Sequence, residues 1–543
     1  MKKLMIYVSV LFLSSGMMFA QGEMDAFRFS QTDLNGSARS VSMGGAFGAL
    51  GGDMSAMSHN PAGLGVYRSS EIQATFDFYS SNVNADWGGV VNSRRRNAFC
   101  MDNFSYEGYF PTGNDRGVKG WNIGFSYNKV KEFSRKYSAA GNSKFSLADY
   151  VASRTTFAFG NEGGIYLDEL QLTDRYDPYV NSDLAGQWLP ILGYESGFIE
   201  PQDDKNSKND VYYSAFPGAL KETLLNISER GAMKEYNFAL ATNISDIVFL
   251  GLTVNITDID YRLASRHHDT FAGRNSENDY LTLENSLETE GTAYSANLGV
   301  IVRPINALRF GVAYNSPKWY KMTDYFLATG ESYVASYSDQ PKMKAETPAD
   351  HSIADYALQT PGRWIFSVAG VIGNTALVSF DYELTDYKTM RLGSYDGEDF
   401  SFETDNSIIN KDFGMAKTVK AGVEIKPASR LALRAGYMQQ SNPMTGNLTD
   451  ESKQTEVFTA GTTPHYTTVA APTRHYTAGV GYRLSPNFYM DMAYIHRVQK
   501  EKLYTFSPIE KADSNLNIPS IEVSPSNLTA KTSRIVLTFG YKF

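Results

Sequence analysis

Four arginines, Arg309, Arg434, Arg483 and Arg534, sit on the polar faces of alternating segments, where a guanidinium could hold a ligand carboxylate. The simpler expectation is that they pair with acids on the same faces, such as Asp381, Glu383 and Asp491. His267-His268 stands beside Asp269 and offers metal-ligating chemistry. Adjacent side chains do not converge on one ion, so this triplet reads as a solvated external loop. His351-Ser352 has no supporting motif. Asp396-Gly397-Glu398-Asp399 carries calcium-type ligands without the spacing of an EF-hand, and reads as a polar loop. The chain has no phosphate-binding glycine loop, no dinucleotide fingerprint and no zinc motif. It is read as a non-enzyme with no catalytic residue, no metal and no cofactor.

Composition narrows the class. The 543 residues carry 35 Tyr, 32 Phe and 45 Gly against a single cysteine, Cys100, which excludes an intramolecular disulfide. Charged residues make up 20% and mean hydropathy is −0.33, too polar for a bundle of membrane helices. A formal charge of −9 makes nucleic acid an unsuitable partner, since phosphate binding needs a basic surface. Met1-Lys2-Lys3, the apolar run from Leu4 to Phe19 and Ala20 read as a signal peptide over 1–20.

Beyond that run, the pattern has period two. Ile535, Leu537, Phe539, Tyr541 and Phe543 oppose Arg534, Thr538, Gly540 and Lys542. Trp121, Ile123, Phe125 and Tyr127 oppose Asn122, Gly124, Ser126 and Asn128. Strand side chains alternate between faces, so each segment has one apolar face and one wet face. Apolar faces ending in aromatics, over polar faces rich in small residues, predict an all-β transmembrane antiparallel barrel with lipid outside and a polar lumen.

Strands are expected near 70–81, 97–110, 118–131, 232–245, 247–262, 286–303, 306–320, 361–373, 375–391, 413–426, 430–441, 473–485, 487–503 and 531–543, fourteen in all. Short turns, such as Ser245-Asp246, Gly373-Asn374 and Ser485-Pro486-Asn487, alternate with long external loops. The longest loop, 132–231, is expected to form a subdomain with helical elements. Within it Phe216, Leu220, Leu224 and Ile227 suggest an amphipathic helix over 216–229 that could offer an apolar ligand site. A second helix is expected over 146–153.

Residues 21–69 do not alternate and precede the barrel, 70–543. They contain Gly36-Ser37-Ala38-Arg39, the run Met43-Gly44-Gly45-Ala46, an acidic residue at Asp53, and Asn60-Pro61-Ala62-Gly63. As an ordered set over 36–64, these resemble the N-terminal hatch of FadL/TodX-type outer-membrane transporters. The resemblance implies a monomeric barrel plugged by the hatch, in the outer membrane of a Gram-negative bacterium. It implies uptake of small hydrophobic molecules, typically long-chain fatty acids, with exit through a gap in the wall beside the third strand. Asn60, Pro61 and Ala62 would then have a gating or structural role. Expected partners are the hydrophobic ligand, outer-membrane lipid and lipopolysaccharide, and the barrel assembly machinery that reads a terminal Phe543. The alternatives are a secretion-associated or adhesive barrel that binds proteins, a haem receptor, or an open porin.

Overall fold

In the computed structural model, the period-two segments become long antiparallel strands. The structure describes residues 22–543 except 161–162, 185, 273–278, 336–340, 350–352, 374, 396–401, 450–461, 514 and 517. Residues 1–20, read above as a signal peptide, and His351-Ser352, Asn374 and Asp396–Asp399 lie outside the described residues. Fourteen strands close into a barrel: β1 (Glu71–Trp87), β2 (Val90–Pro111), β3 (Val118–Glu132), β4 (Leu220–Ile244), β5 (Val248–Phe271), β6 (Asp279–Ile305), β7 (Leu308–Asn315), β8 (Arg363–Ile372), β9 (Ala376–Asp386), β10 (Met415–Ala428), β11 (Leu431–Gln440), β12 (Thr473–Arg483), β13 (Phe488–Tyr504) and β14 (Ser526–Lys542). Each strand pairs antiparallel with its neighbours in chain order, and β14 closes on β1 from Glu71↔Lys542 to Asp86↔Asn527. Closure leaves no free sheet edge around the base of the barrel.

Alternation decides which side chain faces out. On β14, Val536 and Thr538 are fully buried and point inward, while Ile535, Phe539 and Tyr541 are exposed on the outside. Trp121, Ile123, Phe238, Leu240, Phe310 and Phe366 continue the exposed apolar belt around the wall. A continuous outward belt of this kind suits hydrocarbon, because in water it would be an aggregation surface.

One end of the barrel has short connections. At Ser245-Asp246, both residues have positive φ (55° and 60°), so the two-residue turn matches the twist of β4 and β5. At the other end most connections are long. The exception is Gly88-Gly89, a tight hairpin that joins β1 directly to β2.

The helix expected over 216–229 is absent: Leu220–Ile244 is strand β4. A short apolar run fits more than one period, and long-range pairing decides the outcome here. β4 pairs along its length with β5 on one edge, and with Arg135–Gly141 and β3 on the other. The long loop is therefore 133–219. Its second expected helix is present as α4 (Leu147–Thr156), started by a capping box between Ser146 and Asp149. Burial raises the Asp149 carboxyl above its ordinary range, against the lowering hydrogen bonds from Ser146. Leu147, Tyr150, Trp188 and Tyr212 of this loop form a core with Phe271 at the end of β5 and Phe326 in the strand segment Trp319–Tyr333 that pairs with β6, so the loop covers part of the barrel mouth.

His267, His268 and Asp269, expected in a solvated loop, lie on β5, because the strands run further than the apolar belt. His267 and Asp269 are buried. The His267 Nε2 is 2.9 Å from Asp269 Oδ1, and Asp269 also accepts from the Leu147 amide (2.8 Å) and the Thr223 hydroxyl (2.6 Å). The carboxylate thus ties the start of α4 to the wall, a structural role.

Candidate functional site

The non-alternating N-terminal segment occupies the lumen. It forms α1 (Glu23–Ser30), α2 (Ala38–Ser42), α3 (Ala56–His59) and a 3-10 turn, Pro61–Val66. Ser37 caps α2 by accepting from the Ser40 amide, and its hydroxyl donates to Asp53 Oδ2 at 2.7 Å. Asn60 holds the lower half together. Its Nδ2 donates to the Gly48 carbonyl at 2.6 Å and to Val300 on β6 at 3.4 Å, and its Oδ1 accepts from the Ala62 amide. Pro61 opens the 3-10 turn, and Ala62 is fully buried against Phe249 and Ile301 of the wall. The wall meets this surface with glycines. A Cβ at Gly251 would lie 2.2 Å from the Pro61 carbonyl carbon, and one at Gly311 would lie 2.3 Å from the Gly48 oxygen.

Ion pairs fix the same half of the plug. Arg39 reaches Glu424 at 3.0 Å, and Arg434 bridges Glu424 (2.7 Å) and Asp491 (2.6 Å). Arg434 therefore pairs with the expected Asp491. Arg534 instead takes Asp77 (2.8 Å) and Asp102 (3.3 Å). Asp381 accepts from the Gly48 amide at 2.9 Å, and Glu383 pairs with Lys420. Arg309 donates to the Leu50 carbonyl rather than to a carboxylate, a correction to the pairing expected of it. Arg483 lines a polar cavity of about 600 Å³ at the short-turn end, beside Arg430 and Tyr489. Removing one partner of such a buried pair leaves an uncompensated charge, typically costing about 3–5 kcal/mol. The lower plug is tied down.

The upper half differs. β2 and β3 are hydrogen-bonded only from Pro111↔Gly120 to Asn103↔Asn128. There Asp102 is an extra residue in β2, between the pairs Thr75↔Asn103 and Phe76↔Met101. A bulge bends its strand and ends local pairing. Beyond it β2 pairs with β1 alone, and a seam opens in the wall beside β3. The N-terminal segment, not a strand, satisfies β3 at the seam. The Asp33 amide donates to the Val130 carbonyl at 2.9 Å, Asn35 Nδ2 donates to the Lys129 carbonyl at 2.8 Å, and the Glu132 amide donates to Asp33 Oδ2 at 3.1 Å. Asp33 is held in turn by Arg497 at 3.0 Å.

Just above, α1 fills an apolar chamber. Phe27 meets Tyr387 edge-on at 5.3 Å between ring centroids, and Phe29 meets Tyr261 at 5.5 Å. Met24, Met233, Met322 and Tyr356 belong to the same core. The space left beside α1 is about 110 Å³ and is lined by Met24, Phe27, Phe133 and Tyr466 with Lys131 and Arg28. Pockets for small molecules span roughly 300–1,000 Å³, so a long apolar ligand fits this chamber only in place of α1.

The four candidate ligand residues do not share one surface. Phe216 stacks on Phe271 at 4.2 Å in the loop core, and Leu220 packs against that core. Ile227 belongs to a separate cluster with Val83 and Trp87. Leu224 is half-buried on β4. The residues that frame the chamber and the seam, Phe27, Phe29, Asp33, Asn35 and Asp102, were not singled out from sequence. Only Phe27 and Phe29, standing ahead of the Gly/Ala-rich run that begins at Gly36, hint at them.

Fold and site define a class: a fourteen-stranded, membrane-type β-barrel whose lumen is filled by its own N-terminal segment. The fold is that of a FadL homologue from Pseudomonas aeruginosa, with a TM-score of 0.51 over 94% of this chain and 99% of that one, at 11% identity. The Pseudomonas putida toluene transporter TodX aligns over 94% and 99% of the two chains, with a TM-score of 0.48 and 11% identity. No protein-family model and no curated protein sequence matches the chain.

Proposed function

We propose that the protein takes up small hydrophobic molecules, long-chain fatty acids foremost, by facilitated diffusion across the outer membrane of a Gram-negative bacterium. On this reading the chain is a monomer, and it is inserted by the barrel assembly machinery through its terminal strand. Residues 21–69 are the hatch. Its lower half, centred on Asn60, Pro61 and Ala62, is a fixed barrier, and its upper half, residues 22–35, is the moving part.

The observation that carries this reading is the seam beside β3, closed by Asp33 and Asn35 and opening next to the chamber that α1 fills. Withdrawal of α1 exposes Met24, Phe27 and Phe29, at a cost of about 1.5–3 kcal/mol for each side chain. A ligand regains about 0.8 kcal/mol for each methylene buried. An alkyl chain of about a dozen methylenes therefore offsets the loss. Lys131, on the wall at the chamber edge, suits a carboxylate head. The resemblance of residues 36–64 to a FadL-type hatch, and the shared fold, fit the same reading.

The test is equilibrium binding of a labelled long-chain fatty acid to the detergent-purified protein, with mass spectrometry of the apolar molecules that copurify. Saturable, competable binding is expected. Its absence, with no bound apolar ligand, sinks the proposal.

A further inference from the structure

Two arginines face each other across neighbouring strands at the short-turn end. Leu431 on β11 pairs with Tyr482 on β12, which sets Arg430 opposite Arg483, and the Arg483 amide donates to the Arg430 carbonyl at 2.9 Å. Alternation turns both side chains toward the lumen. Arg430 shares its face with Ala432 and Arg434, and Arg483 shares its face with Thr477 and Gly479. Like charges directly opposite one another destabilise a sheet. Among the described residues, neither guanidinium has an ion pair or a side-chain hydrogen bond.

Both line the polar cavity of about 600 Å³ at this end of the barrel. They are exposed at its mouth, whereas Glu424, Arg434 and Asp491 are buried at its inner end. Six basic side chains and four carboxylates line the cavity, an excess of two positive charges. Each carboxylate is already engaged elsewhere. Glu424 is held by Arg39 (3.0 Å) and Arg434 (2.7 Å), with Lys426 at 3.6 Å, and Asp491 is held by Arg434 at 2.6 Å. Glu71 meets Lys542 at 3.2 Å. Asp53 accepts from the Ser37 hydroxyl (2.7 Å) and the Ser55 amide (2.9 Å). The unmatched charge is therefore that of Arg430 and Arg483.

The cavity selects what neutralises it. Its volume lies within the roughly 300–1,000 Å³ of small-molecule sites. An inorganic ion would leave most of it empty. Adjacent guanidinium forks match the paired oxygens of a carboxylate or a phosphate, and the excess of two charges matches a dianion. Tyr67 from the plug and Tyr489 from β13 add ring surface for an organic body.

We propose that this cavity binds a small organic dianion, a dicarboxylate or a phosphate monoester, whose charged oxygens are held by Arg430 and Arg483. Arg39 of the plug lines the same cavity, so the site spans plug and wall. The inference goes beyond the transport reading and does not rest on it, because the cavity is distinct from the chamber beside α1.

The experiment is isothermal titration calorimetry of the full-length protein in detergent at neutral pH. The probes are succinate and glycerol 3-phosphate, with propionate, succinamide and inorganic phosphate as controls. Saturable binding of at least one dianion is expected, about tenfold or more tighter than propionate or succinamide, a difference of about 1.4 kcal/mol. It is expected to weaken as salt rises. Binding of succinate alone identifies a carboxylate ligand, and binding of glycerol 3-phosphate alone identifies a phosphate ester; either supports the proposal. Arg430→Gln combined with Arg483→Gln is expected to abolish binding while labelled fatty acid still binds. No saturable binding of either dianion overturns the proposal, as does undiminished binding by the double variant. Inorganic phosphate binding as tightly as the organic probes also overturns it, since the cavity would then hold an adventitious ion only. If the double variant does not fold, the wild-type preference and its salt dependence decide alone. Absence of fatty-acid binding with dianion binding intact fails the transport reading and leaves this one standing.

Discussion

The Asn60 carboxamide lies so close to Gly299 on β6 that a Cβ added to the glycine would come within 1.9 Å of Asn60 Oδ1. Asn60 is also the residue that links two parts of the plug, through Gly48 and Ala62, to the wall at Val300. One contact therefore reports on the seating of the whole lower plug.

Gly299→Val should unseat Asn60 without breaking the strand, since a β-branched residue suits a strand backbone. The buried groups left unpaired cost about 1–3 kcal/mol each. Hydrogen exchange at residues 48–62 should accelerate while exchange in β6 stays slow, and single-channel conductance in planar bilayers should rise. Unchanged exchange and conductance would mean that the lower plug is not held by this contact.

Asp33→Ala should loosen the seam alone. It removes the acceptor for the Glu132 amide and the partner of Arg497. Exchange at Glu132 should speed up by about tenfold or more, corresponding to about 1.4 kcal/mol, with little change at Asn60. Permeation of a labelled hydrophobe into proteoliposomes should become faster. Slower permeation would show that Asp33 guides the ligand rather than seals the wall.

Asp246 predicts an acid-sensitive turn. Burial raises its carboxyl, but hydrogen bonds from Lys119 (2.8 Å), Asn243 (2.7 Å) and Arg68 outweigh this and hold it below the ordinary range. A depressed folded value means that the stabilisation is fully present above the unfolded pKa of roughly 3.9. It is lost as pH falls through the folded value. Unfolding in denaturant should therefore show Asp246→Asn less stable than wild type at pH 7, with the gap narrowing below about pH 4. A gap that is constant from pH 7 to pH 3 would remove the ion cluster from the account.

The barrel was legible because period-two alternation is a local signal, repeated on every strand and strongest on β14. Ser245-Asp246 was readable as a turn for the same reason. The strand status of Leu220–Ile227 was not, because that run satisfies a helical spacing too and only its partners Arg135–Gly141 and His267–Phe271 decide between them. The sequence pattern puts His267 and Asp269 in a loop because the strands outrun the apolar belt, where alternation no longer marks the lipid face. The ordered set around Asn60 pointed to a plug. A gap beside the third strand follows from the resemblance alone, and its residues carry no local signal, since the seam depends on one extra residue, Asp102, and on Asp33 and Asn35 lying about a hundred positions from the strand they complete.

The most direct test separates the two exits. Cys100 lies beside Lys129 across the seam, with the lysine Nζ 2.6 Å from the sulfur. In Lys129→Cys, a short bifunctional thiol reagent can join residues 100 and 129. In a second protein, Ser58→Cys and Asn237→Cys, joined in a Cys100→Ser background, tie the lower plug to β4 where Asn237 Nδ2 now donates to Ser58 Oγ at 2.9 Å. The measurement is the uptake rate of a labelled long-chain fatty acid into proteoliposomes, before and after cross-linking. The account predicts that linking the seam stops uptake and that linking the plug leaves it unchanged. Uptake that survives the seam link and stops with the plug link would contradict it.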